Sequence, residues 1–260
     1  VKDIKVPLQS IASYRKMYGW KDFSNYYGEE MIADGITYWI NEKEAMVAAA
    51  EVTLTEANIP SSVEFEGNQY PVIKINDRVF SGNTNLTSVT LPESLTTLGD
   101  RAFYTCKSLK TIKIPSGVTA IPDYCFNHCL SLESVTIPEG VTTIRKYAFG
   151  SCDLKELTLP STVTMIEIGA FLSNSRRCQS IICNAATPPT LGDNAFDNDI
   201  TPSIKVPLQS IAAYRQAVGW KNFANYYGGE VVADGITYRI DENGAMVAAA
   251  EVTLTEANIP

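Results

Sequence analysis

Apolar side chains return to the same places on a short beat through the middle of the chain. LTSVTLPESLTTLGDRAFYTCKS (Leu86 to Ser108), LKTIKIPSGVTAIPDYCFNHCLS (Leu109 to Ser131), LESVTIPEGVTTIRKYAFGSCD (Leu132 to Asp153) and LKELTLPSTVTMIEIGAFLSNSRR (Leu154 to Arg177) align on one another. CQSIICNAATPPTLGDNAFDND (Cys178 to Asp199) is a degenerate fifth line. Val63 to Asn85 reads as a degenerate opening line, with Tyr70, Val72 and Ile75 in apolar places. Each regular line begins L-x-x-[VIL]-x-[LI]-P, the alternation of a half-buried strand. Pro92, Pro115, Pro138 and Pro160 end that strand, because proline offers no ladder donor. A second apolar pair follows (Val118 and Ile121, Val141 and Ile144), then a column of Phe80, Phe103, Phe126, Phe149, Phe171 and Phe196. One line cannot bury its own apolar face, but stacked lines share a continuous core. The pattern predicts a solenoid whose parallel strands lie about 4.8 Å apart.

A longer period is laid over the short one. Ile4 to Pro60 returns as Ile204 to Pro260, and the stretch from Ala45 to Pro60 recurs without change from Ala245. The expectation is a window on a tandem array. Residues 1–27 read as the C-terminal cap of a preceding module and 28–227 as a complete module. That module divides into an opening hairpin 28–60, repeats 61–203 and a cap 204–227; residues 228–260 open a following module. A signal peptide would lie outside such a window.

In the cap, Ser10 is a helix N-cap candidate, Ile11, Tyr14 and Tyr18 share one helical face, and Gly19 stops the helix before Trp20 and Phe23. The second copy has Ser210, Ile211, Tyr214, Val218, Gly219, Trp220 and Phe223 in these places. Asp34 to Ile40 and Ala45 to Ala50 predict a hairpin around Asn41 to Glu44, matched by Asp241-Glu242-Asn243-Gly244 in the second copy. With only Asn25 to Glu30 as linker, the cap aromatics Tyr14, Trp20 and Phe23 are expected to face Ile36, Tyr38, Met46 and Val47. Tyr214, Trp220 and Phe223 would face Ile236, Tyr238, Met246 and Val247 likewise. Such a junction makes the array a semi-rigid rod, with an open strand edge near Val252 to Pro260.

The 260 residues are 45% hydrophobic and 19% charged, which is globular usage and enough chain for a real core. A net charge of −8 removes the electrostatic footprint of a nucleic-acid binder. No apolar run approaches a membrane span, so no membrane insertion is expected. A single histidine leaves little material for triads or histidine metal sites.

The lines [LIV]-x-P-x-x-[VL]-T-x-[IL]-x-x-x-A-F-x-x-C-x-x-L, closed by V-P-x-x-S-I-x-x-Y-x-x-x-x-G-W-x-x-F, resemble the BspA-type leucine-rich repeat surface proteins of anaerobic gut and oral bacteria. The openings D-G-I-x-Y-x-I and I-P-S-S-V-x-[FY]-x-G-x-x-Y-P-V resemble module starts of that family. The resemblance implies a β-rich fold of the α/β solenoid class: a right-handed leucine-rich repeat solenoid with a parallel β-sheet, short helical caps and flanking β-hairpins. It also implies export, surface attachment and a role in adhesion or recognition. It brings no catalytic residue, cofactor or metal. The irregularity falls at Cys178, Cys183 and the Thr187-Pro188-Pro189-Thr190 insertion.

The remaining candidates for chemistry sort themselves by column. Cys178 and Cys183 hold apolar strand places, and Cys125 stands where other lines have alanine. Cys106, Cys129 and Cys152 share a column with Asn83, Asn174 and Asp199, where leucine-rich repeats use an Asn or Cys to bond the neighbouring turn. All six thus read as reduced structural thiols. His128 falls on an exposed turn beside Thr105 and Ser151. Asp193, Asn194, Asp197, Asn198 and Asp199 are the densest oxygen cluster, but their spacing is not that of a calcium loop and they read as a solvated turn. Arg101, Tyr124 and Tyr147 form a turn-edge column that either presents aromatics or packs them across coils.

The alternate strand positions are Ser88, Thr90, Thr111, Lys113, Ser134, Thr136, Glu156 and Thr158, continued by Ser180 and Ile182. They predict a face of small hydroxyls that either hydrogen-bonds a partner, which the resemblance implies to be an extracellular protein or glycan, or is simply a soluble sheet rich in strand-favouring threonine. Three readings follow: a recognition module, a structural spacer array joined to adjacent modules of the same chain, and, with least support, an enzyme.

Overall fold

A computed structural model describes residues 3–14, 16, 25–174, 178, 180–196, 203–223, 225–233, 236–241 and 243–250. Its architecture is a parallel β-solenoid of about 7 turns, mostly strand with little helix. The main sheet runs through Glu56–Asn58, Ser88–Thr90, Thr111–Lys113, Ser134–Thr136, Glu156–Leu159, Ser180–Cys183, Ile204–Lys205 and Tyr226–Tyr227. Ladders join its parts in parallel, with Glu56 opposite Ser88, Thr111 opposite Ser134, Glu156 opposite Ser180 and Ile204 opposite Tyr226. Single bonds from Lys110 N–H to Thr87 O (3.5 Å) and from Lys155 N–H to Glu133 O (3.1 Å) carry the ladder between them. The prolines do more than stop strands. The carbonyls of Pro92, Pro115, Pro138 and Pro160 accept from the N–H groups of Leu95, Val118, Val141 and Val163, closing the turn that follows.

The first rung is Glu56–Asn58, so the stack opens on the line Leu54-x-x-Ala57-x-Ile59-Pro60, ahead of the position read as degenerate at Val63. Ser62–Phe65 and Asn68–Ile75 instead form an antiparallel hairpin across Glu66 and Gly67, both at positive φ.

The second apolar pair of each line builds its own parallel ladder through Ala120–Ile121, Thr143–Ile144, Met165–Ile166 and Thr190–Leu191. Thr97–Leu98 pairs with Asn68–Ile75, which pairs in parallel with Ala45–Ala50. That strand begins an antiparallel meander with Ile36–Ile40 and Glu29–Ala33. The opening element is therefore three-stranded rather than a hairpin. Its extra turn sits at Asp34 and Gly35, both left-handed (φ 50 and 72), an Asp-Gly pair of the kind that favours this geometry. The Asn41 to Glu44 turn forms as expected: Asn41 Oδ1 accepts from the N–H groups of Lys43 and Glu44.

Inside lies one core. The phenylalanine column is buried from Phe80 to Phe196, with successive ring centroids 5.1 to 5.4 Å apart. Ile36, Tyr38, Ile40 and Val47 close the N-terminal end of that core, and Ile211, Tyr214, Trp220 and Phe223 close the C-terminal end.

The C-terminal end corrects the expected junction, and the N-terminal end corrects the expected linker. The second cap turns its aromatics back onto its own solenoid. Tyr214 Oη donates to Ala185 O (2.7 Å) and lies 3.2 Å from Cys183 Sγ. Trp220 Nε1 donates to Pro189 O (2.7 Å), and Ser210 Oγ to Ala186 O (2.7 Å). The cap is thus seated on the insertion and the two residues before it: Ala185, Ala186 and Pro189 supply the carbonyls that receive the cap's donors, in a stretch where two prolines lack N–H. Ser210 makes no side-chain cap bond, because its hydroxyl is engaged there. The helix ends at Gln216 as Ala217 turns extended, which leaves Val218 82% exposed and makes Gly219 (φ 80) the start of a short 3-10 turn.

Asn25 to Glu30 is no linker. Asn25–Tyr27 pairs with Asp3–Lys5, Glu29–Ala33 begins the meander, and only Gly28 stands between. Cap and meander still touch, through Gly28 N–H to Ile40 O, Ala12 N–H to Glu42 Oε1 and a stacked Tyr27–Trp39 pair (4.2 Å). Tyr18, Trp20, Phe23, the side chain of Tyr14 and the Val252 to Pro260 segment lie outside the described residues.

Candidate interaction surface

Alternation along each strand of the main sheet sends Leu86, Leu109, Leu132, Leu154 and their partners inward and leaves the intervening positions outside. Ser88, Thr90, Thr111, Lys113, Ser134, Thr136, Glu156 and Thr158 are all exposed. The register brings them into two columns, with Thr111 beside Ser134, Lys113 beside Thr136, and Glu156 and Thr158 beside Ser180 and Ile182. The columns start earlier than the sequence reading placed them. Glu56 and Asn58 are exposed and pair with Ser88 and Thr90. The signal was present in L-x-x-A-x-I-P but hidden by alanine in the central apolar place. At the other end Ile182 pairs with Lys205 and Lys205 with Tyr227, whose ring is covered by Arg239 at 4.5 Å.

Two lysines on and beside this face are paired. Lys113 Nζ lies 2.7 Å from Glu93 Oε1, and Lys155 Nζ lies 2.6 Å from Glu133 Oε2. The Lys113 hydrogen bond, with the Ser116 N–H, holds the Glu93 carboxyl below its ordinary range. Among the charged side chains of the two columns, Glu56 and Glu156 flank a run of hydroxyls.

The turn edge is occupied by its own packing. The Arg101 guanidinium lies 4.6 Å over Tyr124, Tyr124 stacks on Tyr147 at 5.1 Å, and the Tyr147 ring fills the space a side chain at Gly169 would need. Both faces of each ring are therefore covered, and the packing reading of this column is the one the geometry supports. Arg101, Tyr124 and Tyr147 stand at φ values of 52 to 57 in the left-handed region, as do Thr105, His128 and Ser151 two residues past the phenylalanines. His128 is exposed and meets the edge of Tyr104. Asp193 and Asn194 belong to the same turn edge; Asp197, Asn198 and Asp199 lie outside the described residues. Among the described residues no three His, Cys, Asp or Glu side chains converge as metal ligands.

The thiol and amide column bonds as its position demands. Cys106, Cys129 and Cys152 donate to the carbonyls of Phe80, Phe103 and Phe126 at 3.1 to 3.2 Å. Asn83 and Asn174 donate to Leu54 O and Phe149 O in the same manner. Burial pushes the Cys106 thiol up to about 12 and that of Cys178 to about 11, and raises Cys125, Cys129, Cys152 and Cys183 as well. These groups are poor nucleophiles.

Residues 50–178 and 142–217 match the family model described as BspA type leucine rich repeat region, in six copies. A leucine-rich repeat protein from Bacteroides ovatus has a similar structure, with a TM-score of 0.53 and 24% identity over 68% of this chain. A leucine-rich repeat protein from T. pallidum has a TM-score of 0.54 and 22% identity over 76% of this chain and 81% of its own. The chain spans 55% of the length of the Bacteroides ovatus protein. No curated protein matches it at significance.

Proposed function

As the chain belongs to the BspA-type leucine-rich repeat family of bacterial surface proteins, we propose that it is a non-catalytic recognition module displayed outside the cell. In this reading it binds an extracellular protein or glycan through the main-sheet face. The observation that carries the proposal is the continuous exposure of Ser88, Thr90, Thr111, Lys113, Ser134, Thr136, Glu156 and Thr158 in register. Hydroxyls at regular rung spacing can donate and accept without the desolvation cost of free charge, which suits a polar partner. The aromatic turn edge is less suited, since its ring faces are already stacked.

The test is a binding screen of the purified chain against host matrix proteins and mucin glycans. The triple substitution Thr90→Arg, Thr111→Arg and Thr136→Arg should abolish any interaction found while leaving the melting temperature unchanged, because all three side chains are exposed. Binding that survives the triple substitution removes the sheet face from consideration. A chain that binds nothing in the screen favours the second reading, a spacer that projects other domains.

A further inference from the structure

We infer that the second three-stranded meander is a docking edge for the opening segment, Ser62 to Phe80, of a further copy of the module joined in tandem. Two elements of nearly the same sequence stand in different surroundings. Ile36–Ile40 and Ala45–Ala50 pair with Ile36 opposite Ala50 and Ile40 opposite Ala45, with an irregularity between Thr37 and Tyr38. Ile236–Asp241 and Gly244–Ala250 repeat this pairing residue for residue, including the irregularity between Thr237 and Tyr238. The Gly28 N–H bond to Ile40 O also returns as Gly228 N–H to Ile240 O.

What differs is the cover. In the first meander the outer edge of Ala45–Ala50 takes Asn68–Ile75 in parallel, with Ala45 opposite Val72 and Val47 opposite Ile75. Asn76 N–H then bonds Val47 O at 2.9 Å. Val72 and Ile75 are fully buried there, and Tyr38 and Ile40 are 2% and 0% exposed. Among the described residues Gly244–Ala250 pairs with Ile236–Asp241 alone, and Tyr238 and Ile240 are only half-buried. The first copy thus shows which segment completes the second: a strand with Val72 and Ile75 on its inner side, followed by the first core phenylalanine. The 200-residue offset between the two meanders places that segment in tandem, since residue 60 leads into it in the first copy. An unpaired edge with half-covered apolar neighbours is a template for strand addition.

Hydrogen exchange tests this directly, because AMVAAA is the same sequence in both meanders and its unassisted exchange rates are the same. The chain is compared with an extended chain in which a second copy of residues 61–260 follows Pro260. In the chain itself, amides of residues 245–250 should exchange faster than those of 45–50 by roughly tenfold or more, and the extension should remove the difference. Placing Val72→Asp and Ile75→Asp in the appended copy alone should restore fast exchange at 245–250. Equal protection of both segments in the unextended chain at low concentration overturns the inference. So does fast exchange at 245–250 in the extended chain. Protection that rises with protein concentration overturns it too, since the cover then comes from a separate molecule.

Discussion

Phe126 lies between Phe103 and Phe149, 5.2 Å from each ring, and none of the three is exposed. Dispersion and burial make each ring the largest contribution of its coil, and the neighbouring coils cannot close a gap without breaking the ladders on either side. Phe126→Ala should therefore cost about 3–5 kcal/mol in urea unfolding. A cost below about 1 kcal/mol would mean that the coil collapses around the gap and that the stack is softer than its geometry implies. The six thiols, all buried and most bonded to carbonyls, should resist alkylation in the folded chain and react fully in denaturant.

At the scale of the turn edge, stacking imposes charge repetition as well as packing. Asp77, Asp100 and Asp123 follow one another up the coils; Asp100 N–H bonds Asp77 Oδ1 and Asp123 N–H bonds Asp100 Oδ1. Desolvation, then Asp123 and Asp77, raise the Asp100 carboxyl above its ordinary 3.8. The folded state then binds the proton more tightly than the unfolded one, so stability falls as pH rises from 3.8 through the folded value. Asp100→Asn keeps the acceptor and removes the charge. It should melt higher than the parent at pH 7, and the gain should be gone by about pH 3, where both forms are neutral. A gain that persists at low pH would assign it to something other than charge. One column away, Gly169 stands at φ 63, and a Cβ there would lie 2.3 Å from the Tyr147 ring. Gly169→Ala should cost about 1–2 kcal/mol from the backbone alone, and more from the ring. In a Tyr147→Ala background only the backbone part should remain, which a double-mutant cycle reads out.

Over the whole molecule, the same sheets that stack coils also seal both ends against their own core, with the meander below Phe80 and the cap aromatics above Phe196. Burial of six thiols in this closed core gives the chain an alkaline limit. Their folded values lie above the ordinary 9.0, with Cys106 near 12 and Cys178 near 11. Stability is therefore whole below pH 9 and declines above it, as thiols that ionise freely in the unfolded chain resist ionising in the folded one. Replacing Cys106 and Cys129 with alanine should shift the alkaline unfolding midpoint upward relative to the neutral-pH stability of the same variant. An unchanged midpoint would show that other groups set the limit.

The columns of Phe, Pro, Cys and Asn were legible along the chain because a solenoid repeats one environment at fixed intervals, so each column is a local statement made four to six times. The exposed sheet face followed from alternation alone. Direction was what the chain could not encode locally. Tyr214 and Trp220 belong to a cap that could have faced either the meander or the solenoid, and nothing in their spacing separates the two. The choice falls to the carbonyls of Ala185, Ala186 and Pro189, which lie past the strand end at Cys183 in and just before the insertion of the fifth line and find their donors in the cap. Glu56–Asn58 was missed for a related reason: Ala57 is too small to announce a core position, and only its pairing with Val89 shows that it holds one. Periodicity along the chain determined what each residue is for within a coil; the hydrogen-bonding needs of irregular backbone, met across space, decided how the ends close.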